Sequence, residues 1–140
     1  MAEVKRIVER PLSPHLSIYR RQINMVMSIV HRITGSALYL GTVLLAAWLV
    51  AAAMGPSEFA FVNRLFAHPI GLLILIGYSW ALIHHMLGGV RHLIWDTGQG
   101  LDPKSADGLA WLTIIGSVIT TALVWVSALS MRGLSLQDLF

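Results

Sequence analysis

His84, His85, Arg91 and His92 close a long apolar stretch, and four positions there keep helical register: His85, Gly89, His92 and Asp96 recur at i, i+4, i+7 and i+11. A second set, Ser28, His31, Arg32 and Gly35, recurs at i, i+3, i+4 and i+7 where another apolar stretch begins. An imidazole in such a place can ligate a metal or hydrogen-bond across helices, and spacing weighs the two evenly. A hydroxyl and a guanidinium one turn apart, as in Ser28 and Arg32, can donate together to the oxygens of a small carbonyl ligand and stabilise negative charge developing there. A snorkelling arginine at a helix entrance has the same spacing. Near a bilayer centre an arginine or aspartate is unfavourable by about 2.5 to 3.5 kcal/mol, so a chain serving only as an anchor would carry leucine at these positions.

The elements that hold these residues follow from composition. A chain of 140 residues that is 56% apolar and 12% charged, with mean hydropathy +0.69, has too little interior to hide its apolar surface from water. Membrane lipid must cover it. Three windows lack Asp, Glu, Lys and Arg: Ile33 to Met54 (22 residues), Leu65 to Val90 (26) and Leu109 to Met131 (23). Each meets the length of about 20 residues that a spanning helix needs, and helices satisfy every backbone group in hydrocarbon. The expectation is an all-α membrane protein forming one anchor domain over residues 1–140. Its parts are an inner interfacial segment over 1–26 and three transmembrane helices at about 27–54, 67–95 and 105–131.

Orientation follows from the distribution of positive charge. Lys5, Arg6, Arg10, Arg20, Arg21, Arg32, Arg91 and Lys104 fall on one side and Arg64 and Arg132 on the other, which predicts the N-terminus inside and the C-terminus outside. The basic excess behind a pI near 9.8 is confined to the first 32 residues, beside a membrane, and no basic repeat with interleaved aromatics follows. Nucleic acid is therefore not an expected partner. Absence of cysteine excludes disulfides, thiolate zinc and all-cysteine iron–sulfur ligation on this chain. The N-terminal stretch is too long and too charged for a cleaved signal peptide and has no Arg-rich, Ser-rich presequence, which favours a bacterial inner membrane over a mitochondrial one.

Punctuation along the chain is local and interpretable. Pro11 and Pro14 prevent a regular helix near the N-terminus, so that segment is expected to lie along the inner interface. Pro56 and Ser57 look like a break and an N-cap before a short interfacial helix with Phe59, Val62 and Phe66 on one face. Pro69 suits the first turn of the second spanning helix, and Asp102-Pro103 an N-cap and first position for the third. Gly116, Ser117, Thr120 and Thr121 make a small, weakly polar side on the third helix, a candidate contact with a second subunit.

Consecutive spanning helices run antiparallel, so the start of the first and the end of the second share the inner membrane level. One site can draw on both polar stripes. His85 precedes His92 by seven residues and lies about 10 Å deeper, a depth that suits an axial haem ligand with charged groups above it for propionates. Gly88 and Gly89 would let either a flat macrocycle or a neighbouring helix come close. Adjacent residues differ by about 100° on a helix, so His84 and His85 cannot share one iron from the same face, and spacing does not choose between them.

Two separated motifs carry a resemblance. Arg10-Pro11-Leu12 followed by Ser28-Ile29-Val30-His31-Arg32-Ile33-Thr34-Gly35, and His85-x-x-x-Gly89-Val90-Arg91-His92-Leu93-Ile94-Trp95-Asp96-Thr97-Gly98, resemble the cytochrome b anchor subunits of succinate dehydrogenase, the membrane part of respiratory complex II. The resemblance spans positions 10 to 98, and the third helix carries no motif of its own. It implies that His85, rather than His84, is one axial ligand of haem b iron, and that Ser28 and Arg32 line a ubiquinone site. It also implies that His31, Arg91 and His92 lie around the haem propionates.

His15, His31 and His92 lie too far inward and His68 too far outward to complete the iron's coordination, so the other ligand is expected from a second membrane-anchor subunit. The family further implies a flavoprotein subunit holding FAD and an iron–sulfur subunit that delivers electrons to quinone. Nothing on this chain could oxidise succinate, for it has no dinucleotide fingerprint and no sizeable soluble domain. Two other readings have the same outline: a haem-free structural anchor, and the anchor of a quinol-oxidising fumarate reductase.

Overall fold

The computed structural model of the protein describes residues 19–131. The Arg10-Pro11-Leu12 element, most of the expected interfacial segment and the expected outward tail lie outside the described residues. Among the described residues there are four helices and no strand: α1 (Ile23–Met54), α2 (Pro56–Ala67), α3 (Pro69–Asp96) and α4 (Pro103–Met131). Three of them, α1, α3 and α4, are long and apolar enough to cross a membrane.

Each boundary has a chemical cause. α1 begins after Gln22, whose backbone is extended, and so takes in residues 23–26, which are expected at the interface from sequence. It stops at Gly55, where a φ of 144° is open to glycine and Pro56 follows immediately. Pro56 itself occupies the first turn of α2 with Gly55 as its N-cap, so Ser57 is not the cap; its hydroxyl instead donates to Glu58 Oε2 at 2.6 Å. The missing N–H of Pro56 is tolerated only at a helix start, which moves the boundary upstream of Ser57. His68 caps α3 by accepting from the Ile70 N–H at 3.3 Å, with Pro69 at the first position. Asp102 Oδ2 accepts from the Ser105 N–H at 3.0 Å and caps α4, with Pro103 first in the helix.

At 1.5 Å per residue the three long helices measure about 42 to 48 Å, well beyond a hydrocarbon thickness of about 30 Å. Their ends therefore project into the interface. α3 lies between α1 and α4, in contact with both and antiparallel to each. At one end Asn24 Nδ2 donates to Asp107 Oδ1 at 2.6 Å, tying the start of α1 to the start of α4. At the other, α2 folds back on α1, where Trp48 Nε1 donates to Asn63 Oδ1 at 3.1 Å and the Trp48 and Phe59 rings lie 5.5 Å apart. Phe59, Val62 and Phe66, the face expected from their spacing, are half-buried.

The interior is small and partly polar. Its buried apolar members are Met27, Ala51, Ala81 and Ala110, joined by Thr34, Thr113, Ser117 and Thr121. Those four hydroxyls donate to carbonyls three or four residues earlier on their own helices, which lets them enter an apolar layer satisfied. Gly41 allows the Tyr78 ring to lie against the α1 backbone, where a Cβ would collide with it. Ser117 and Thr121, expected to face a second subunit, are instead buried in this chain, and Gly116 packs near Leu87 of α3; only Thr120 of that set is exposed. A face of small residues fits a neighbouring helix of the same chain as well as one from outside.

The α4 cap has a pH signature. The Ser105 side chain and backbone N–H hold the Asp102 carboxyl below the usual carboxylate range. A carboxyl so depressed adds stability above its ordinary pKa of about 3.9 and loses it as pH falls through the lowered value. The thermal midpoint is expected to fall on acidification below about pH 4 in the native chain. In Asp102→Asn, which caps without charge, that part of the acid loss is absent; equal acid sensitivity of the two would refute the assignment.

Candidate functional site

The α3 face that meets its neighbours is built from Ala81, His84, Gly88 and Arg91, all buried. His85 and His92 flank it on the α1 side. His85 is half-buried and its ring stacks on that of His31 of α1, with centroids 3.9 Å apart and planes within 5°. His92 is exposed and stands edge-on to His31 at 5.4 Å and to Trp95 at 5.2 Å. The two stripes expected to share a level thus meet through His31, His85 and His92.

Hydrogen bonding fixes the chemical form of His85. Its Nδ1 lies 3.1 Å from the His31 carbonyl oxygen and 3.3 Å from Thr34 Oγ1. The carbonyl can only accept, and the Thr34 hydroxyl already donates to the carbonyls of Val30 and His31 at 2.9 and 3.0 Å. The proton of a neutral His85 therefore resides on Nδ1, leaving the Nε2 lone pair with no partner among the described residues. A ring held by Nδ1–H on a backbone carbonyl with Nε2 bare is the arrangement that metal-ligating histidines adopt. Gly35 makes room for it, since a Cβ there would stand 3.0 Å from His85 Cε1.

His84 points elsewhere. It is 1% exposed and its Nδ1 lies 3.1 Å from Ser117 Oγ of α4. Its Nε2 is buried without a partner among the described residues. The two adjacent imidazoles are thus directed to different helices, as their 100° separation requires, and His84 is the one sealed inside the chain.

Arg91 also departs from the His85 side. It lies about 120° round α3 from His85 by helical geometry, is 4% exposed and places its guanidinium carbon 4.9 Å from the centre of the Trp95 ring. Its Nε and Nη1 have no hydrogen-bond partner among the described residues. A buried cation without an anion is strongly unfavourable, so Arg91 calls for an acceptor from outside the described residues. No group of three or more His, Cys, Asp or Glu side chains arranged to hold a metal ion occurs among the described residues.

Ser28 and Arg32 are both exposed, side by side on α1. The stripe to which they belong divides: His31 and Gly35 turn inward to α3, whereas Ser28 and Arg32 face outward at the end where α1 projects from the hydrocarbon. Outward at this level, a hydroxyl and a guanidinium can receive a carbonyl ligand lodged between this chain and a neighbour. Thr34 and Gly35 have no chemistry evident from type or spacing; a threonine one turn beyond a histidine hints at carbonyl bonding, yet the service of Thr34 to His85 depends on a contact 51 residues away.

Residues 6–124 match the family described as succinate dehydrogenase/fumarate reductase transmembrane subunit. The succinate dehydrogenase cytochrome b556 subunit of Paracoccus denitrificans is 44% identical over 126 residues, covering 90% of this chain and 96% of that one. The cytochrome b556 subunit of Rickettsia felis is 38% identical over 118 residues, 84% of this chain and 92% of the relative. A mitochondrial succinate dehydrogenase cytochrome b560 subunit from Sus scrofa is 38% identical over 118 residues, 78% of this chain and 68% of its own.

The glycine pair separates packing inside the chain from approach by a partner. A Cβ at Gly88 would lie 2.5 Å from His31 Nδ1, whereas one at Gly89 meets nothing within 4 Å. Gly88→Ala is expected to destabilise by about 1 to 3 kcal/mol through overpacking, read as a lower thermal midpoint with loss of the His31–His85 stack. Gly89→Ala is accommodated by this chain, so any comparable loss it causes measures a group packed there from outside.

Proposed function

The chain belongs to the family of succinate dehydrogenase/fumarate reductase transmembrane subunits, as a cytochrome b membrane anchor of succinate dehydrogenase, and on that premise we propose that it holds haem b through His85 and forms part of a ubiquinone-reduction site through Ser28 and Arg32. The observation that carries this reading is the His85 tautomer: Nδ1–H is held by the His31 carbonyl and Thr34, and Nε2 is left as a bare lone pair. Donor chemistry fits the group, for a neutral imidazole nitrogen is a common axial ligand of haem iron. His85 would hold the group from this chain, and a second membrane-anchor subunit would supply its remaining ligand.

When bound, haem b supplies a one-electron redox centre beside the quinone site. His31 and His92 cluster with His85 and form the propionate environment, with Arg91 adding positive charge from the adjoining side of α3. The N–H groups of Arg91 that are unpaired among the described residues support an anionic neighbour at this level. On α1, the Ser28 hydroxyl and the Arg32 guanidinium donate to a quinone oxygen and stabilise the negative charge that develops as electrons arrive from the iron–sulfur subunit. The exposure of both side chains supports a pocket completed by neighbouring subunits. Succinate oxidation belongs to the flavoprotein partner. The chain lies in a bacterial inner membrane with its N-terminus inside, so that the site opens toward the soluble subunits.

Two substitutions separate the roles. His85→Ala is expected to abolish the sharp alpha band of the dithionite-reduced complex. Arg32→Ala retains that band and lowers ubiquinone reduction on the order of 10²-fold, the loss typical of removing one donor from a developing anion. An unaltered haem spectrum in His85→Ala, or ubiquinone reduction at the wild-type rate in Arg32→Ala, would overturn the respective half of the reading.

A further inference from the structure

His84 is absorbed by none of the roles above. It is fully enclosed, its partner Ser117 is 0% exposed, and the bond between them joins α3 to α4. The Ser117 hydroxyl donates its one proton to the Ile114 carbonyl at 2.8 Å, so its oxygen accepts from His84. His84 is therefore protonated on Nδ1, and its bare Nε2 is shut inside the chain. Two consecutive residues of α3 thus use the same ring atom to grip opposite neighbours: His85 grips the α1 backbone, and His84 grips α4.

We propose that His84 is a positioning residue, which through Ser117 sets the rotation of α3 about its axis and thereby the ring orientation of His85. The inference rests on the reading of His85 as an axial haem ligand. A helix held on one side only can turn about its axis. A ring atom about 5.5 Å from that axis moves by about 2 Å when the helix turns by about 20°, enough to break the 3.1 Å contact of His85 with the His31 carbonyl. A second grip about 100° away opposes this rotation. Of the remaining buried α3 residues, Gly71, Ala81 and Gly88 fix distance better than azimuth, and Arg91 packs over Trp95 of the same helix. Trp80, whose ring centre is 5.0 Å from that of His84, closes the same side.

The test uses the assembled complex and reads ring orientation, because the low-field g value of oxidised low-spin haem follows the orientation of its axial imidazoles. His84→Leu removes the donor and Ser117→Ala the acceptor. Both are expected to retain haem but to shift the low-field g value and the reduction potential in the same direction. The double variant is expected to shift no further than either single one, since the residues act as a unit. His84→Asn, which keeps an N–H donor near the Nδ1 position, restores the wild-type signal. Wild-type g value and potential in either single variant, additive shifts in the double, or an unrescued His84→Asn would overturn the proposal. Failure of the axial reading is recognised separately, by haem retained with unchanged spectrum in His85→Ala.

Discussion

Hydrocarbon offers no hydrogen-bond partner, so each polar group that enters it must be satisfied by the protein or by a molecule the protein holds. That constraint governs the half of this chain that holds the start of α1 and the end of α3. The His31 carbonyl and Thr34 occupy the Nδ1 proton of His85, and Ser117 occupies that of His84. What remains unsatisfied among the described residues then acquires meaning: the Nε2 atoms of the two imidazoles and the Nε and Nη1 of Arg91 point to what these helices must meet from elsewhere, or must keep sealed.

The same constraint explains why the core is made of small residues. Lipid is as apolar as leucine, so burying leucine between helices yields little, and association comes from close packing and interhelical hydrogen bonds. Gly41 seats Tyr78, Gly35 seats His85 and Gly88 seats His31. Large apolar side chains such as Tyr39, Leu40, Leu73 and Met131 are turned outward. The arrangement inverts that of a water-soluble bundle, and it places the imidazoles where backbones come closest.

Helix length connects this packing to function. Because α1 and α3 overrun the hydrocarbon, the first turns of α1 and the last turns of α3 stand in the interface, and the reactive residues lie where apolar helix passes into polar surroundings. His85 lies deepest, His31 and His92 above it, and Ser28 and Arg32 on the outer face of α1.

The spans, the breaks at Pro56, Pro69 and Pro103 and the meeting of two polar stripes were legible in the residues, because apolar run length, proline's missing N–H and a 3.6-residue period act locally. The motifs around His31 and His85 also led to the family. Which way each imidazole faced was not legible, since His84 and His85 have equivalent spacings and only the placement of α4 beside α3 engages His84 with Ser117. Likewise the stripe of Ser28, His31, Arg32 and Gly35 is one face by period, yet the crossing of α3 over α1 covers His31 and leaves Arg32 outside. Local chemistry thus determined what could form and at what depth. Partner assignment depends on the relative rotation of helices far apart in sequence, and that was decided by tertiary structure alone.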